Sequence, residues 1–165
     1  MRIIHTLIFT LCKNDSQGGS IMKIVFGCDP NAQDFKEQLM AYTESLGYET
    51  SDFGSDDPIY ANTAFRVAQA VAAKEFDRGI LLCGTGIGVS IAANKVKGAY
   101  AACIHDVYQA QRAELSNHAN IITMGAQVVG IELAKVMIKE YLSQTFDPNG
   151  RSGAKVQRIT DFENE

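Results

Sequence analysis

From Met22 onward, short apolar runs alternate with longer amphipathic segments. The pattern predicts strands at residues 24–26, 48–53, 79–83, 99–104 and 121–124. It predicts helices at residues 35–46, 60–74, 89–95, 106–115 and 130–142. Strict alternation of strands and helices implies a parallel sheet that helices cover on both faces. The sequence therefore predicts an α/β fold, a three-layer Rossmann-like sandwich with a five-stranded parallel sheet.

The spacing of apolar residues predicts which side of each helix is buried. In the first helix, one face carries Phe35, Leu39, Tyr42 and Leu46 at intervals of three or four residues. Gly47 follows, where a helix commonly ends in a left-handed residue. In the second helix, the predicted buried face consists of Phe65, Ala68, Val71 and Ala72. Residues 145–165 are polar and are predicted to form an arm or a last short helix.

Length and composition restrict the class of protein. The chain of 165 residues, 46% of them hydrophobic, fits one domain, which we predict to span 22–165. The net charge of -4, without a run of Lys or Arg, argues against nucleic-acid binding. No apolar stretch approaches the ~20 residues of a membrane-spanning helix. The four cysteines form no CxxC pair, so we expect reduced thiols in a cytoplasmic protein and no zinc site.

Residues 1–21 do not follow the alternating pattern. Arg2 precedes an apolar run at residues 3–12, and a polar patch with Gly18 and Gly19 comes next. This order resembles a secretory signal, but His5 interrupts the apolar run and no A-x-A-like cleavage site follows. We expect an N-terminal extension that adds little to the fold. A targeting segment and an added element that packs on the domain are the alternatives.

A glycine-rich loop after the third predicted strand carries the densest chemical pattern, Cys83-Gly84-Thr85-Gly86-Ile87-Gly88-Val89-Ser90. Glycines let backbone N–H groups approach a ligand, and a helix N-terminus favours negative charge, including the thiolate form of Cys83. A thiolate beside such N–H groups suits proton abstraction next to a carbonyl, with the N–H groups holding the enediolate oxygen. The alternative is a buried cysteine beside a phosphate- or nucleotide-binding loop. The chain has neither GxGxxG after its first strand nor GxxxxGK[ST], which argues against nucleotides.

Asp29 ends the first predicted strand, in the string Gly27-Cys28-Asp29. Ligands of parallel sheets bind at the carboxyl ends of the strands, so Asp29 could reach a ligand. An equally good interpretation is that Asp29 caps the next helix. Cys28 is predicted to belong to the core.

The two strand ends together resemble the ribose-5-phosphate isomerase type B family, to which the galactose-6-phosphate isomerase subunits also belong. The resemblance rests on Gly27-Cys28-Asp29, on residues 83–88 and on Ile91-Ala92-Ala93-Asn94-Lys95. Further matches are Tyr60, Asn117, Asn120, Met124-Gly125 and residues 130–135. The resemblance extends from about Met22 to the C-terminus and does not cover residues 1–21.

The resemblance implies an aldose–ketose isomerase of sugar phosphates that uses no metal and no cofactor. Cys83 resembles the base that moves a proton between C1 and C2 through a cis-enediolate, and Thr85 the residue that helps to open the sugar ring. Asp29 would contact sugar hydroxyls, Asn117 would lie near the substrate, and Arg151 would contact the phosphate. The other implied substrate-binding residues are Gly84, Gly86, Ile87, Gly88, Ser90, Tyr60 and Lys155. The implied partners are a small phosphorylated sugar and a second copy of the chain, in a homodimer or dimer of dimers with the site between subunits.

Four positions depart from the family pattern. Pro30 stands where the family has a histidine, and Ser116 stands where it has the ring-opening histidine. Gln127 stands in place of an arginine. Lys155 replaces a second C-terminal arginine, which keeps the charge but loses the bidentate fork. The ring-opening and phosphate-binding groups are therefore altered, while the proton-transfer loop is intact.

Three residues could compensate for these losses: His105, Asp106 and Arg112. The string from His105 to Asn117 resembles a branch of the family with fungal-type members and bacterial tetrose-phosphate isomerases. We predict a catalytic role for His105 and a substrate-binding role for Arg112, against the alternatives of a surface histidine and a solvated helix face. His118 is a further candidate, although a shift of two residues along the chain repoints the side chain.

The altered histidine position bears on the substrate. A tetrose phosphate cannot close a five- or six-membered ring, because its terminal oxygen carries the phosphate, so it needs no ring-opening group. We nevertheless expect ribose 5-phosphate and ribulose 5-phosphate first, since most family members act on them. Erythrose 4-phosphate with erythrulose 4-phosphate comes second and galactose 6-phosphate third. The alternative classes are a non-catalytic partner subunit and a Rossmann-type nucleotide binder.

Overall fold

A computed structural model describes residues 21–54 and 56–165, so the predictions for residues 1–20 lie outside the described part of the chain. The strands are β1 Lys23–Cys28, β2 Glu49–Asp52, β3 Arg78–Cys83, β4 Ala101–Cys103 and β5 Ile121–Gly125. The helices are α1 Gln33–Ser45, α2 Tyr60–Ala72, α3 Ile87–Ala93, α4 Val107–Leu115, α5 Ile131–Ser143 and α6 Gly153–Glu163. A 3-10 turn, Pro30–Ala32, joins β1 to α1.

The strands form one parallel sheet in the order β2-β1-β3-β5-β4. The chain moves outward from β1 to β2 and then builds β3, β5 and β4 on the other side of β1, so the order reverses between β1 and β3. Helices α1, α4 and α5 cover one face, and α2 and α3 cover the other. The predicted α/β fold with a five-stranded parallel sheet in three layers is confirmed.

Two cores form because each central strand is buried on both faces. Ile80 and Leu82 point towards the α1–α4–α5 side, whereas Leu81 and Cys83 point towards the α2–α3 side. Burial of one such aliphatic side chain contributes roughly 1.5–3 kcal/mol. A strand that is covered on both sides needs apolar residues at every position, which explains the continuous apolar runs in the sequence.

The predicted C-terminal end of α1 at Gly47 is confirmed, although the helix begins at Gln33, two residues before the predicted start. The predicted buried face of α2 is correct for Ala68 and Val71 but wrong for Phe65 and Ala72. Gly47 has a φ of +95° and follows α1 directly after its C-cap residue. In α2, Phe65 is 37% exposed and Ala72 is half-buried. The buried side instead carries Thr63, Ala64, Val67, Ala68, Ala70 and Val71. Small residues are buried there because α2 lies close to β1 and α3, which leaves no room for a phenyl ring.

The last part of the chain and the helix after Cys83 also differ from the prediction. Residues 153–163 form the helix α6, so the last short helix is the correct alternative. Helix α3 begins at Ile87, two residues before the predicted start, which places Ile87 and Gly88 in its first turn. Within the described residues, no helix is long and apolar enough to cross a membrane.

Candidate active site

A cleft of about 580 Å³ opens at the carboxyl ends of β1 and β3, where the strand order reverses. Open parallel sheets bind their ligands at this position. The cleft, which we call the Cys83 cleft, brings together seven predicted residues: Asp29, Tyr60, Cys83, Gly84, Thr85, Ile87 and Gly88.

Cys83 is the last residue of β3 and is 5% exposed. Its Sγ accepts a hydrogen bond from the N–H of Gly86 at 3.1 Å. This hydrogen bond holds the sulfur against the start of the glycine-rich loop. The peptide N–H groups of Gly84, Thr85 and Gly88 have no acceptor among the described residues. They are therefore available to an oxygen of a bound ligand.

The loop after Cys83 is packed tightly against the end of β5. Gly86 has a φ of +79°, and a Cβ added there would lie 2.7 Å from the carbonyl carbon of Met124. A Cβ added at Gly125 would lie 2.6 Å from backbone atoms of Thr85. The Thr123 hydroxyl donates to the carbonyl oxygen of Gly86 at 2.7 Å. Because backbone lies against backbone, the loop has little freedom to move relative to the sheet.

Two side chains lie against the same loop from outside the sheet. The Tyr60 ring would be 2.6 Å from a Cβ at Gly88, so only glycine fits there without displacing the ring. The N–H of Gln127 donates to the Gly84 carbonyl at 3.0 Å, and the Gln127 side chain lies over Gly84. The predicted replacement of arginine at position 127 therefore places a neutral amide, and not a cation, beside the loop.

Asp29 is both a cap and a wall of the cleft. Its carboxylate accepts the N–H of Asn31 at 3.0 Å and the side-chain amide of Asn31 at 3.2 Å, and it caps the 3-10 turn. The N–H of Asp29 donates to the carbonyl of Leu82 at 3.3 Å, which ties the end of β1 to β3. Asp29 therefore caps the turn and also lines the cleft, although it is only 6% exposed. The capping interpretation and the ligand-binding interpretation of the sequence are compatible.

A second pocket of about 310 Å³, which we call the basic pocket, lies between α4 and the start of α6. It is lined by Tyr108, Arg112, Ser116, Asn117, Arg151, Ser152 and Lys155. Over the described residues, none of its three cations forms an ion pair with a carboxylate. Cations without acidic partners, beside hydroxyl and amide donors, suit a phosphate or another anion. The basic pocket contains the predicted residues Arg112, Asn117, Arg151 and Lys155.

Ser116 holds the guanidinium of Arg112 in this pocket. Its Oγ accepts a hydrogen bond from Nε of Arg112 at 2.9 Å, and its hydroxyl lies 3.2 Å from the Arg112 carbonyl. Asn117 donates to the same carbonyl at 2.7 Å, so both side chains close the end of α4. The position that the family resemblance gives to a ring-opening histidine therefore carries a hydroxyl that orients an arginine.

The Cys83 cleft and the basic pocket share no lining residue. Cys83 packs with the α2–α3 core, whereas α4 packs against α5 on the opposite face of the sheet. Within one chain, the structure therefore does not bring the thiol and the three cations together.

Four further predicted residues line neither pocket. Gly86 is one of them: its N–H donates to the Cys83 sulfur, and its contact with substrate stays a prediction. His105 is exposed beyond β4, and its Nε2 lies 3.9 Å from Sγ of Cys103. Asp106 caps α4 and accepts the N–H of Gln109 at 2.8 Å. Ser90 is buried, and its hydroxyl donates to the carbonyl of Ala101 at 3.3 Å. These side chains have structural contacts within the chain, and the roles of His105 and Ser90 with substrate stay predictions.

His118 belongs to a separate cluster around a buried carboxylate. Its Nδ1 lies 3.3 Å from Glu114, and its ring stacks on Phe146 with ring centres 4.7 Å apart. Glu114 also pairs with Arg78 at 2.8 Å and accepts the N–H of Phe146 at 3.1 Å. His118 thus helps to attach the segment that leads to α6.

Sequence reasoning missed five residues of the two pockets: Asn31, Pro58 and Ile91 in the cleft, and Tyr108 and Ser152 in the basic pocket. Asn31 follows Asp29 by two residues, a spacing at which an aspartate side chain commonly accepts a backbone N–H. Tyr108 precedes Arg112 by four residues, so the two share a helix face. These two signals were available in the sequence. Pro58, Ile91 and Ser152 carry no comparable pattern.

The thiol beside Asp29 differs from that of Cys83. Cys28 is fully buried, and burial raises its pKa to about 12, although the nearby Lys36 opposes the shift. It is thus a core residue, as predicted. Within residues 21–54 and 56–165, no three His, Cys, Asp or Glu side chains lie close enough together to hold a metal ion.

Comparisons with known proteins bear on this site. The sequence pattern of the family described as Ribose/Galactose Isomerase matches residues 24–159. The D-erythrulose-4-phosphate isomerase 2 of Mycolicibacterium smegmatis is 45% identical over 151 residues, which cover 86% of this chain and 97% of that protein. The Ribose-5-P isomerase B of Listeria innocua is 43% identical, with 86% and 97% covered. The solved structure of Clostridium thermocellum ribose-5-phosphate isomerase B has a TM-score of 0.82 at 38% identity, covering 87% of this chain and 98% of that one.

Proposed function

This chain belongs to the ribose/galactose isomerase family, and from that premise we propose that it interconverts erythrose 4-phosphate and erythrulose 4-phosphate with Cys83 as the base. The family resemblance of the two strand ends is thereby confirmed, and the chain is an aldose–ketose isomerase of sugar phosphates. The length of the substrate, the base and the subunit arrangement are our proposals.

In the proposed reaction, the Cys83 thiolate removes the proton from C2 of the aldose, and the electron pair moves to form a cis-enediolate. The free N–H groups of Gly84, Thr85 and Gly88 would hold the negative oxygen of this intermediate. The thiol then returns its proton to C1, while the hydroxyl hydrogen moves from O2 to O1. The aldehyde carbon is reduced and the alcohol carbon is oxidised, so the reaction consumes no external oxidant or reductant.

The basic pocket supplies a second half of the site in this proposal. A sugar phosphate carries its negative charge at the end remote from the carbonyl, and Arg112, Arg151 and Lys155 are cations without acidic partners among the described residues. The cleft and the basic pocket lie apart in one chain, so we propose that the basic pocket of a second subunit faces the Cys83 cleft. Ile87 and Ile91 at the rim of the cleft are 54% and 59% exposed, which fits a surface that another subunit covers.

The hydrogen bond between Ser116 and Arg112 is the observation that most favours a four-carbon substrate over a five-carbon one. It commits the hydroxyl at the position of the ring-opening histidine to orienting an arginine. An erythrose phosphate is open-chain and needs no such group, whereas ribose 5-phosphate is mostly a closed ring. The 45% identity to a D-erythrulose-4-phosphate isomerase supports the same order. We therefore place erythrose 4-phosphate before ribose 5-phosphate, which reverses the order expected from the sequence.

Ribose 5-phosphate stays the second candidate because Thr85, the residue that resembles a ring-opening group, lies in the Cys83 cleft. The 43% identity to a Ribose-5-P isomerase B supports this candidate.

Parallel assays of the purified protein with erythrose 4-phosphate and ribose 5-phosphate test the proposal. We expect kcat/KM to be at least about tenfold higher for the tetrose phosphate, since chemistry on the pentose must wait for the ring to open. At high enzyme concentration, the rate with ribose 5-phosphate should stop rising, because uncatalysed ring opening then limits it. A preference for ribose 5-phosphate, with a rate that stays proportional to enzyme, would show that the four-carbon assignment is wrong.

A further inference from the structure

Helix α6 is attached to the rest of the chain mainly at its two ends. Of its residues, only Gly153 is buried. A groove of about 310 Å³ separates Val156 and Ile159 from the edge strand β4. On another side, a cavity of about 560 Å³ lies between the helix and His118 with Phe146. Apolar packing along its length therefore does not determine how the helix is rotated about its axis.

The start of α6 is fixed by close backbone contact. A Cβ at Gly153 would lie 1.8 Å from the carbonyl oxygen of Pro148, so no side chain can stand between them. Arg151 and Lys155 lie on either side of this contact and line the basic pocket. The contact sets where the helix begins but leaves its rotation free.

Glu163 attaches the C-terminal end of α6 to the rest of the chain. Within the described part of the chain, it is the one carboxylate of this helix that accepts hydrogen bonds from residues outside it. One carboxylate oxygen of Glu163 accepts the N–H of Gly98 at 3.0 Å, and the other accepts the hydroxyl of Tyr100 at 2.9 Å. We call these three residues the C-terminal latch. Burial raises the pKa of Tyr100, so its hydroxyl stays a proton donor at neutral pH.

The latch is attached to a rigid support. Asn120, which is 6% exposed and directly precedes β5, donates to the Gly98 carbonyl at 2.9 Å. Its side-chain oxygen accepts the N–H of Tyr100 at 2.8 Å. Gly98 has a φ of +83°, which glycine adopts without strain. The two groups that bind Glu163 are therefore held in place by the sheet.

We propose that Glu163 is a positioning residue for the basic pocket, because it fixes the rotation of α6 and so aims Arg151 and Lys155 at the anion of the substrate. A helix with its side chains has a radius of about 5–6 Å, so a rotation of about 20° would move a side-chain tip by about 2 Å. Displacements of this size are large for charge-assisted hydrogen bonds. The inference deepens the proposed function and rests on it for the identity of the anion.

Four variants test the latch. Glu163→Ala removes both hydrogen bonds, and Tyr100→Phe removes one. Glu163→Gln can keep both, since its amide oxygen can accept from Gly98 and its NH₂ can donate to the Tyr100 oxygen. Glu165→Gln is the matched control, because among the described residues the Glu165 side chain pairs only with Arg158 of α6.

We expect Glu163→Ala to raise KM for the sugar phosphate about five- to tenfold while kcat changes less than twofold, because phosphate binding is lost equally from substrate and transition state. The inhibition constant of inorganic phosphate should rise by the same factor. Tyr100→Phe should give a smaller rise, Glu163→Gln should restore most of the affinity, and Glu165→Gln should match the wild type. The double variant Glu163→Ala/Tyr100→Phe should be little worse than Glu163→Ala, since beyond the shared hydrogen bond Tyr100→Phe removes only the 3.5 Å contact with the Thr160 hydroxyl.

Two results would contradict the positioning role of Glu163. One is an unchanged KM in Glu163→Ala, and the other is a fall in kcat that parallels the loss of folded protein. The inorganic phosphate measurement also separates this proposal from the proposed function. A wild type that binds phosphate by calorimetry, loses affinity on Glu163→Ala and converts no sugar phosphate contradicts the proposed reaction but supports the latch. A wild type that binds no phosphate contradicts both.

Discussion

The Cys83 cleft and the basic pocket, the two halves of the proposed site, are built differently. The cleft is formed by the ends of central strands and by a loop whose glycines lie against backbone of β5. The basic pocket is formed by the exposed side of α4 and by α6, a helix that is buried at one residue. In the cleft, the sheet fixes the positions of the functional groups. In the basic pocket, a few hydrogen bonds fix the positions of the cationic side chains.

The difference has a functional consequence. Proton transfer needs the base and the oxyanion donors to be placed to within a fraction of an ångström, which a packed sheet edge provides. Binding of an anion by several cations tolerates more movement, because charge attraction falls slowly with distance. Substitutions in the cleft should therefore reduce turnover, whereas substitutions in the basic pocket should chiefly weaken binding.

The largest effect is expected from Cys83→Ala. If Cys83 is the base, as proposed, its loss should lower kcat by about a thousandfold, within the usual range for removal of a general base. The control is Cys103→Ser, whose half-buried side chain lies outside both pockets. Turnover by each folded variant is measured with the preferred sugar phosphate. A Cys83→Ala protein with more than a tenth of wild-type kcat would show that another group is the base.

A methyl group at Gly125 should break the cleft by steric means. The added Cβ would lie 2.6 Å from the Thr85 backbone, which cannot rotate away, so the loop must shift. We expect a loss of stability of about 2 kcal/mol, as for other overpacked sites, together with at least about a tenfold fall in kcat. Gly130→Ala is the matched control, since a Cβ at Gly130 meets nothing within 4 Å and its φ is -69°. Denaturant unfolding and kcat are compared, and equal behaviour of the two variants would contradict the tight loop.

Arg112 and Ser116 allow the basic pocket to be weakened in two steps. Arg112→Ala should raise KM by about 10- to 100-fold, the amount expected for a charge-assisted contact worth about 1.5–3 kcal/mol. Ser116→Ala keeps the charge but frees the guanidinium, so KM should rise only about threefold. In the double variant, Ser116→Ala should add nothing to Arg112→Ala, because its effect passes through Arg112. Additive effects would mean that Ser116 acts on the substrate directly.

The smallest effect is expected at Cys28, whose thiol packs in the core on the opposite face of the sheet from Cys83 and should not react. Its pKa is raised from about 9 to about 12, so below pH 9 it stays protonated in the folded protein, and it becomes a thiolate only as the pH approaches 12. At pH 8 Cys28 is therefore almost entirely protonated, which makes alkylation very slow. Peptide mapping after iodoacetamide treatment should find Cys83 labelled, protected by substrate, and Cys28 unlabelled. Rapid labelling of Cys28 in the folded protein would contradict its place in the core.

The sequence predicted the sheet well because strand burial leaves a direct trace in the amino acids. The runs at residues 79–83 and 121–124 are apolar except for Thr123, whose hydroxyl is hydrogen-bonded, because both faces of β3 and β5 are covered. The cleft followed from the same pattern, since the ends of parallel strands meet at one edge. The sequence thus predicted that Asp29 and Cys83 lie at the same edge of the sheet.

Other features could not be read from the sequence because they depend on tertiary contacts. The exposed Phe65 shows that helix periodicity gives a spacing but not the face that a close neighbour selects. Nothing in the sequence shows that Ser116 bonds to Arg112 or that Glu163 reaches Gly98 and Tyr100. The separation of the two pockets also follows from the fold and not from the sequence pattern. The family resemblance assigned Cys83 and Arg112 to one substrate site and did not show that they lie in different pockets of one chain.

Mixing two impaired variants, assayed with sugar phosphate well below the KM of the wild type, tests the central claim, that the Cys83 cleft of one subunit works with the basic pocket of another. Cys83→Ala and Arg112→Ala/Arg151→Ala are unfolded together, refolded as an equal mixture and assayed against each refolded alone. Random pairing makes half of the dimers mixed, and in each of these one of the two sites is intact, so about one quarter of wild-type activity should return. If each chain forms its own complete site, every site carries a substitution, and a mixture as inactive as its parts would contradict the account.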